Sequence, residues 1–93
     1  MSTRQIWKYV IKTNKLIHKV PANGKVLHVD EQFGEICVWI EVDPDEIKEE
    51  RHFEVYGTGH LIKYDIGTDR NYLGSVKLEN GALIFHIYEY LGV

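Results

Sequence analysis

One stretch of this 93-residue chain brings together flexible backbone, a hydroxyl, an imidazole and an aromatic ring: Tyr56-Gly57-Thr58-Gly59-His60. Small residues after a strand let backbone N–H groups converge on an anion, and Thr58 and His60 add hydrogen-bonding side chains. Such a site suits a phosphate, a nucleotide or a carboxylate. With Tyr64 as a second aromatic flank, the predicted ligand-binding set is Tyr56, Gly57, Thr58, Gly59, His60 and Tyr64. The plainer reading is a strand-ending turn that needs glycine for its dihedrals. Two glycines fall short of a phosphate-loop fingerprint, and no helix clearly follows. A different chemistry pairs His60 with a carboxylate such as Asp65, as the base of a small hydrolase or nuclease-like enzyme.

Other reactive side chains are dispersed. The histidines are His18, His28, His52, His60 and His86, with no H-x₃-H pair, and Cys37 stands alone. Those spacings predict no metal site and no cofactor. His28 and His86 read as half-buried strand residues with hydrogen-bond partners. Cys37 sits in the most apolar run, where a thiol is normally buried and inert. The acids cluster from Asp43 to Glu54 with Lys48 and Arg51 among them, the pattern of a solvated charged face. No G-x-S-x-G element is present, and no catalytic residue is assigned.

The elements that must hold these groups are strands. Gln5 to Lys12 alternates, with Trp7, Tyr9 and Ile11 on one side and Ile6, Lys8 and Val10 on the other. Thr13-Asn14 reads as a turn returning Lys15 to Val20 as a hairpin partner, with Leu16, His18 and Val20 opposite Ile17 and Lys19. Pro21 to Gly24 is a break. Lys25 to Asp30 follows, with Val26 and His28 facing away from Leu27 and Val29. Ile36 to Val42 is apolar on both faces and reads as a central strand. For Glu46 to Arg51 two readings stay open: a capped helical turn or a solvated hairpin loop. His52 to Tyr56 is a strand. From Gly57 to Arg70 no period is sustained, which marks a long loop of the kind that carries function, with room for a short edge strand.

The last third is a hairpin. In Tyr72 to Leu78, Tyr72, Val76 and Leu78 oppose Leu73, Ser75 and Lys77. Glu79-Asn80-Gly81-Ala82 is a type I′ turn signal. In Leu83 to Tyr90, Leu83, Phe85 and Ile87 face one way, and Ile84, His86, Tyr88 and Tyr90 the other. Both faces of this strand are apolar or aromatic. One must be core and the other core or a partner surface, so Ile84, His86, Tyr88 and Tyr90 are the predicted interface. The expected architecture is one all-β domain over residues 1–93: an antiparallel sandwich or open barrel of six or seven strands.

Bulk properties narrow the function classes. The net charge of −3 argues against a nucleic-acid partner, whose affinity comes from neutralised phosphates. A single-strand binder that stacks bases on exposed aromatics is the third alternative, served by Lys8, Lys12, Lys15, Lys19 and Lys25 in the first quarter. Eleven aromatics (two Trp, six Tyr, three Phe) can each bury a large area, which offsets chain entropy in so small a domain. No apolar run approaches the ~20 residues of a membrane span. One cysteine permits no internal disulfide, and Met1 to Arg4 open no secretory signal pattern. The expected setting is the cytoplasm.

The ordered set Ile6-Trp7-Lys8-Tyr9, Leu27-His28-Val29, Cys37-Val38-Trp39, Val42-Asp43-Pro44, Lys48 to Phe53, Tyr56 to His60, Tyr72-Leu73-Gly74 and Gly81 to Glu89 spans nearly the whole chain. It resembles a family of short proteins, many encoded by bacteriophages and prophages, classed as a domain of unknown function. The resemblance implies a phage-type accessory protein of the host cytoplasm and brings no known activity. The expected function is therefore a non-enzymatic binding protein that self-associates and takes a host protein, such as one of a defence system, or a small anionic ligand.

Overall fold

The computed structural model describes residues 3–92. Seven strands form two antiparallel layers: β1 (Gln5–Ile11), β2 (Ile17–Pro21), β3 (Lys25–Gln32), β4 (Glu35–Val42), β5 (Lys48–Gly57), β6 (Asp69–Leu78) and β7 (Leu83–Gly92). The smaller sheet has the order β1-β4-β3 and the larger β2-β5-β7-β6. The molecule is flat, 45 × 37 × 20 Å. The all-β expectation holds.

Each layer is built round an apolar central strand. On β4, Ile36, Val38, Ile40 and Val42 face the larger sheet and are buried, and on β7 Ile87 does the same from the other side. Ile11 on β1, Phe53 on β5, Val20 on β2, Val29 on β3 and Val76 on β6 complete the core. A fully buried side chain of this kind contributes about 1.5–3 kcal/mol. Cys37 is also buried, but on the outer face of β4. The hydrogen bond from Lys8 Nζ to Gln32 Oε1 (2.6 Å) joins β1 to β3 across the Cys37 row. Burial pushes the thiol's pKa up, away from the reactive thiolate.

One ion pair lies between the sheets. Arg51 Nε and Nη2 donate to the two carboxylate oxygens of Glu89 at 2.5 and 2.7 Å, and Nη1 donates to the Gly24 carbonyl at 2.6 Å. Glu89 holds the inner face of β7 and its side chain is only 8 % exposed. The bidentate geometry is what makes such burial tolerable.

Five local expectations change. Thr13-Asn14 does not produce a hairpin. After one bridge, Lys12 to Lys15, the chain leaves the smaller sheet, so β1 pairs with β4 and β2 with β5. Glu46 to Arg51 is neither helix nor loop throughout, because β5 already begins at Lys48, paired with Pro21 of β2. Pairing here overrides the helix propensity of Lys and Glu. A bulge between Val26 and His28 turns His28 outward beside Trp39 while Val26 and Val29 both face in. A second bulge between Tyr72 and Gly74 puts Tyr72 on the face of Ser75 and Lys77. No strand forms within residues 58–68. The type I′ turn is present: Asn80 (φ 56°, ψ 32°) and Gly81 (φ 88°) are left-handed, and the Ala82 N–H donates to the Glu79 carbonyl at 3.0 Å.

Candidate functional site

The outer face of the larger sheet collects most of the chemistry. His52, Glu54 and Tyr56 on β5 stand opposite Tyr90, Tyr88 and His86 on β7. Arg70, Tyr72, Ser75 and Lys77 on β6 face Tyr90, Tyr88, His86 and Ile84. Tyr88 is flanked edge-on by Tyr56 and Tyr72, with ring centroids 5.9 and 5.3 Å away. All four predicted interface residues, Ile84, His86, Tyr88 and Tyr90, are on this face, and of the four only Ile84 counts as exposed.

Residues 58–68 connect β5 to β6, which lie on either side of β7 and run in the same direction. The connection must therefore traverse from the Phe85 end of β7 to its Gly92 end. It does so over the outer face, where Arg70 pins it. Arg70 Nε donates to Glu54 Oε1 at 2.6 Å and Nη1 to the Lys63 carbonyl at 2.6 Å. The guanidinium lies 4.7 Å from the Tyr64 ring centroid and 5.2 Å from that of Tyr90. Its side chain is 6 % exposed. The Glu54 hydrogen bond raises the Arg70 pKa further, keeping the charge fixed. Tyr56 lies beside the pair, and burial followed by the Glu54 carboxylate raises its phenol pKa.

The Gly57-Thr58-Gly59-His60 stretch is a closed turn. The His60 N–H donates to the Gly57 carbonyl at 3.0 Å, and the Gly57 N–H donates to His60 Nδ1 at 3.2 Å. A Cβ at position 57 would meet His60 Cε1 at 2.8 Å, so a larger residue there would push the imidazole off the Gly57 N–H. Gly59 is left-handed, φ 89°. Two of the donors proposed for an anion are thus spent inside the turn. His60 itself is exposed in an open groove whose other lining comes from Gly81, Ala82, Leu83, Ile84 and Phe85. No hydrogen bond or ion pair joins it to Asp65, whose N–H donates to Thr68 Oγ1 at 3.0 Å.

Thr58 belongs to a different cluster. Its Oγ1 lies 2.8 Å from His86 Nε2, His86 Nδ1 lies 2.7 Å from Ser75 Oγ, and Ser75 Oγ lies 2.5 Å from the Tyr72 hydroxyl. A neutral imidazole offers one donor and one acceptor, so the hydroxyls orient head to tail along this chain. It ties the turn after β5 to the β6–β7 hairpin. Among the described residues no three His, Cys, Asp or Glu side chains converge to hold a metal.

Sequence reasoning brought out Thr58 and His86 separately but missed that they meet, and missed Glu54 and Arg70. The Ser75–His86 pairing had a signal: a turn centred on Asn80-Gly81 sets Ser75 directly opposite His86. Arg70 had none, because its partners Glu54, Lys63, Tyr64 and Tyr90 come from three separate segments.

A family model described as Domain of unknown function (DUF7352) matches residues 2–92. The chain belongs to that family. No curated protein and no solved structure matches it. No helix among the described residues is long and apolar enough to cross a membrane.

Proposed function

We propose that this domain is a non-enzymatic binding protein whose contact surface is the 58–68 connection together with the tyrosine-rich face beside it. The observation that carries this reading is the combination of fixed backbone and exposed apolar side chains. Arg70 anchors the connection at Lys63 and Tyr64, yet Leu61 is 88 % exposed, Tyr64 60 % and Ile66 99 %. Tyr72 and Ile84 on the sheet are 57 % and 39 % exposed. Rigid aromatic and aliphatic groups presented to water are the usual material of a protein interface core. The face supplies little net charge, since Arg70 is neutralised by Glu54, and this favours a protein over a nucleic acid. It also favours a protein over a small anion, because the Gly57 and His60 N–H groups already donate to His60 Nδ1 and the Gly57 carbonyl inside the turn. The resemblance to phage-encoded proteins supplies the setting: an accessory protein in the host cytoplasm acting on a host protein.

The test is affinity capture from host lysate with the wild-type protein and with Leu61→Ser/Ile66→Ser. The expected result is a defined protein retained by the wild type and reduced at least ~10-fold with the double variant, the scale of losing about 1.4 kcal/mol or more at an interface anchor. Identical retention by both proteins overturns the reading.

A further inference from the structure

We infer that β1 is a docking edge for a second copy of this chain, which adds its own β1 antiparallel and joins the two smaller sheets into one. The inference is independent of the surface proposed above, which lies on the other layer.

A sheet edge with free backbone groups is a template for another strand, and folded proteins normally blunt it with proline, bulges, short length, charge or a covering element. Three of the four edges here are blunted. Strand β2 is five residues long and ends in Pro21. Strand β3 is bulged at Leu27 and β6 at two places. Those two edges also approach one another, since a Cβ at Gly74 of β6 would lie 3.4 Å from Val29 Cβ of β3. Strand β1 has no proline, no bulge and no covering strand among the described residues, and its single charge is the only such device it carries. Its register with β4 is unbroken from Gln5↔Val42 to Ile11↔Ile36, and its one charged residue is Lys8. Among the described residues no strand pairs with its other side.

The direction of the free groups follows from the bridge at the end of the strand. Lys12 N–H donates to the Lys15 carbonyl and Lys15 N–H to the Lys12 carbonyl, so the backbone of Lys12 points away from β4. Backbone direction alternates along a strand. Ile6, Lys8 and Val10 therefore present their N–H and C=O groups outward, while Gln5, Trp7, Tyr9 and Ile11 serve β4.

A second copy fits this edge by symmetry. Two antiparallel β1 strands related by a two-fold axis offer the same outward groups to each other. A register centred on Trp7 sets Ile6 opposite Lys8 of the second copy and keeps the two Lys8 residues apart, avoiding a like-charge pair. It also places that Lys8 in the cross-strand row that holds Ile6 and Glu41, whose carboxylate already accepts from Arg4 Nε at 2.7 Å. Ile6, now 59 % exposed, becomes covered. Contact confined to two seven-residue strands falls below the ~1,200 Å² of a standard stable interface. The pairing is accordingly in the size range of weak, transient contacts.

The experiment is sedimentation equilibrium on the intact protein from low-micromolar to near-millimolar concentration, beside Ile6→Pro and Ile6→Lys. Proline at 6 deletes an outward N–H and no β4 hydrogen bond. Lysine at 6 keeps the backbone and adds charge, so it serves if the proline variant unfolds. The expected result is a wild-type average mass that climbs toward twice the monomer with concentration. It stays at one chain for whichever variants remain folded by circular dichroism, and Leu61→Ser/Ile66→Ser behaves as wild type. A wild type that remains one chain throughout, or association that survives in every folded β1 variant, overturns the inference.

Discussion

Glu89 is the residue on which the interior is most exposed to error. It is an acid on the inner face of a central strand, tolerated because Arg51 meets both of its oxygens and spends its remaining fork on Gly24. Removing one partner strands a desolvated charge, which costs about 3–5 kcal/mol, whereas replacing both by apolar groups of similar size costs far less. Glu89→Ala should therefore lower stability in urea by about 3–5 kcal/mol, and Arg51→Met/Glu89→Leu should fall well short of the sum of the single effects. Equal losses for the pair and for the sum would mean the two side chains act separately. Neither partner announces its role in the sequence. Arg51 sits in a charged run that reads as solvent-facing, and Glu89 lies between tyrosines.

At the scale of elements, what could be read from the chain was periodicity and turn chemistry. The alternation in residues 5–11, 36–42 and 83–90 assigns each side chain to the face it occupies, and Asn80-Gly81 sets the register of the last hairpin. Bulges were not legible, because one inserted residue leaves no mark in composition yet inverts every later facing. Leu27 and Leu73 each do this. Sheet membership was not legible either, since Thr13-Asn14 looks the same whether the chain returns beside itself or changes layer. The 58–68 connection read as a loop, and its path across the outer face depends on Arg70, which no local pattern marks. Arg70→Ala should free it. Limited trypsin digestion should then cut after Lys63 several-fold faster than in the wild type while the core strands stay protected, because proteolysis follows local opening. An unchanged rate at Lys63 would show that the turns at its two ends suffice.

The whole molecule is two layers with one fully flanked apolar strand in the smaller, β4, and two flanked strands in the larger, β5 and β7. Amide exchange should rank accordingly. The amides of β4 and of the Ile87 region of β7 should be slowest and should open only with global unfolding, while the outward amides Ile6, Lys8 and Val10 exchange fastest within strands. Fast exchange at Val38 or Ile87 would contradict the proposed layering.

The layers do not divide the chain evenly. Residues 5–42 contain every strand of the smaller sheet and also β2, which lies against β5 in the opposite layer. The N-terminal half thus adds one strand to the edge of the other sheet, tied by the 43–47 crossing. A break in that crossing would leave two fragments held together by β2, the one strand that the N-terminal fragment contributes to the sheet of the other. The same pairing, closed between two chains instead of within one, is a ready path to exchanged dimers when the protein is refolded at high concentration.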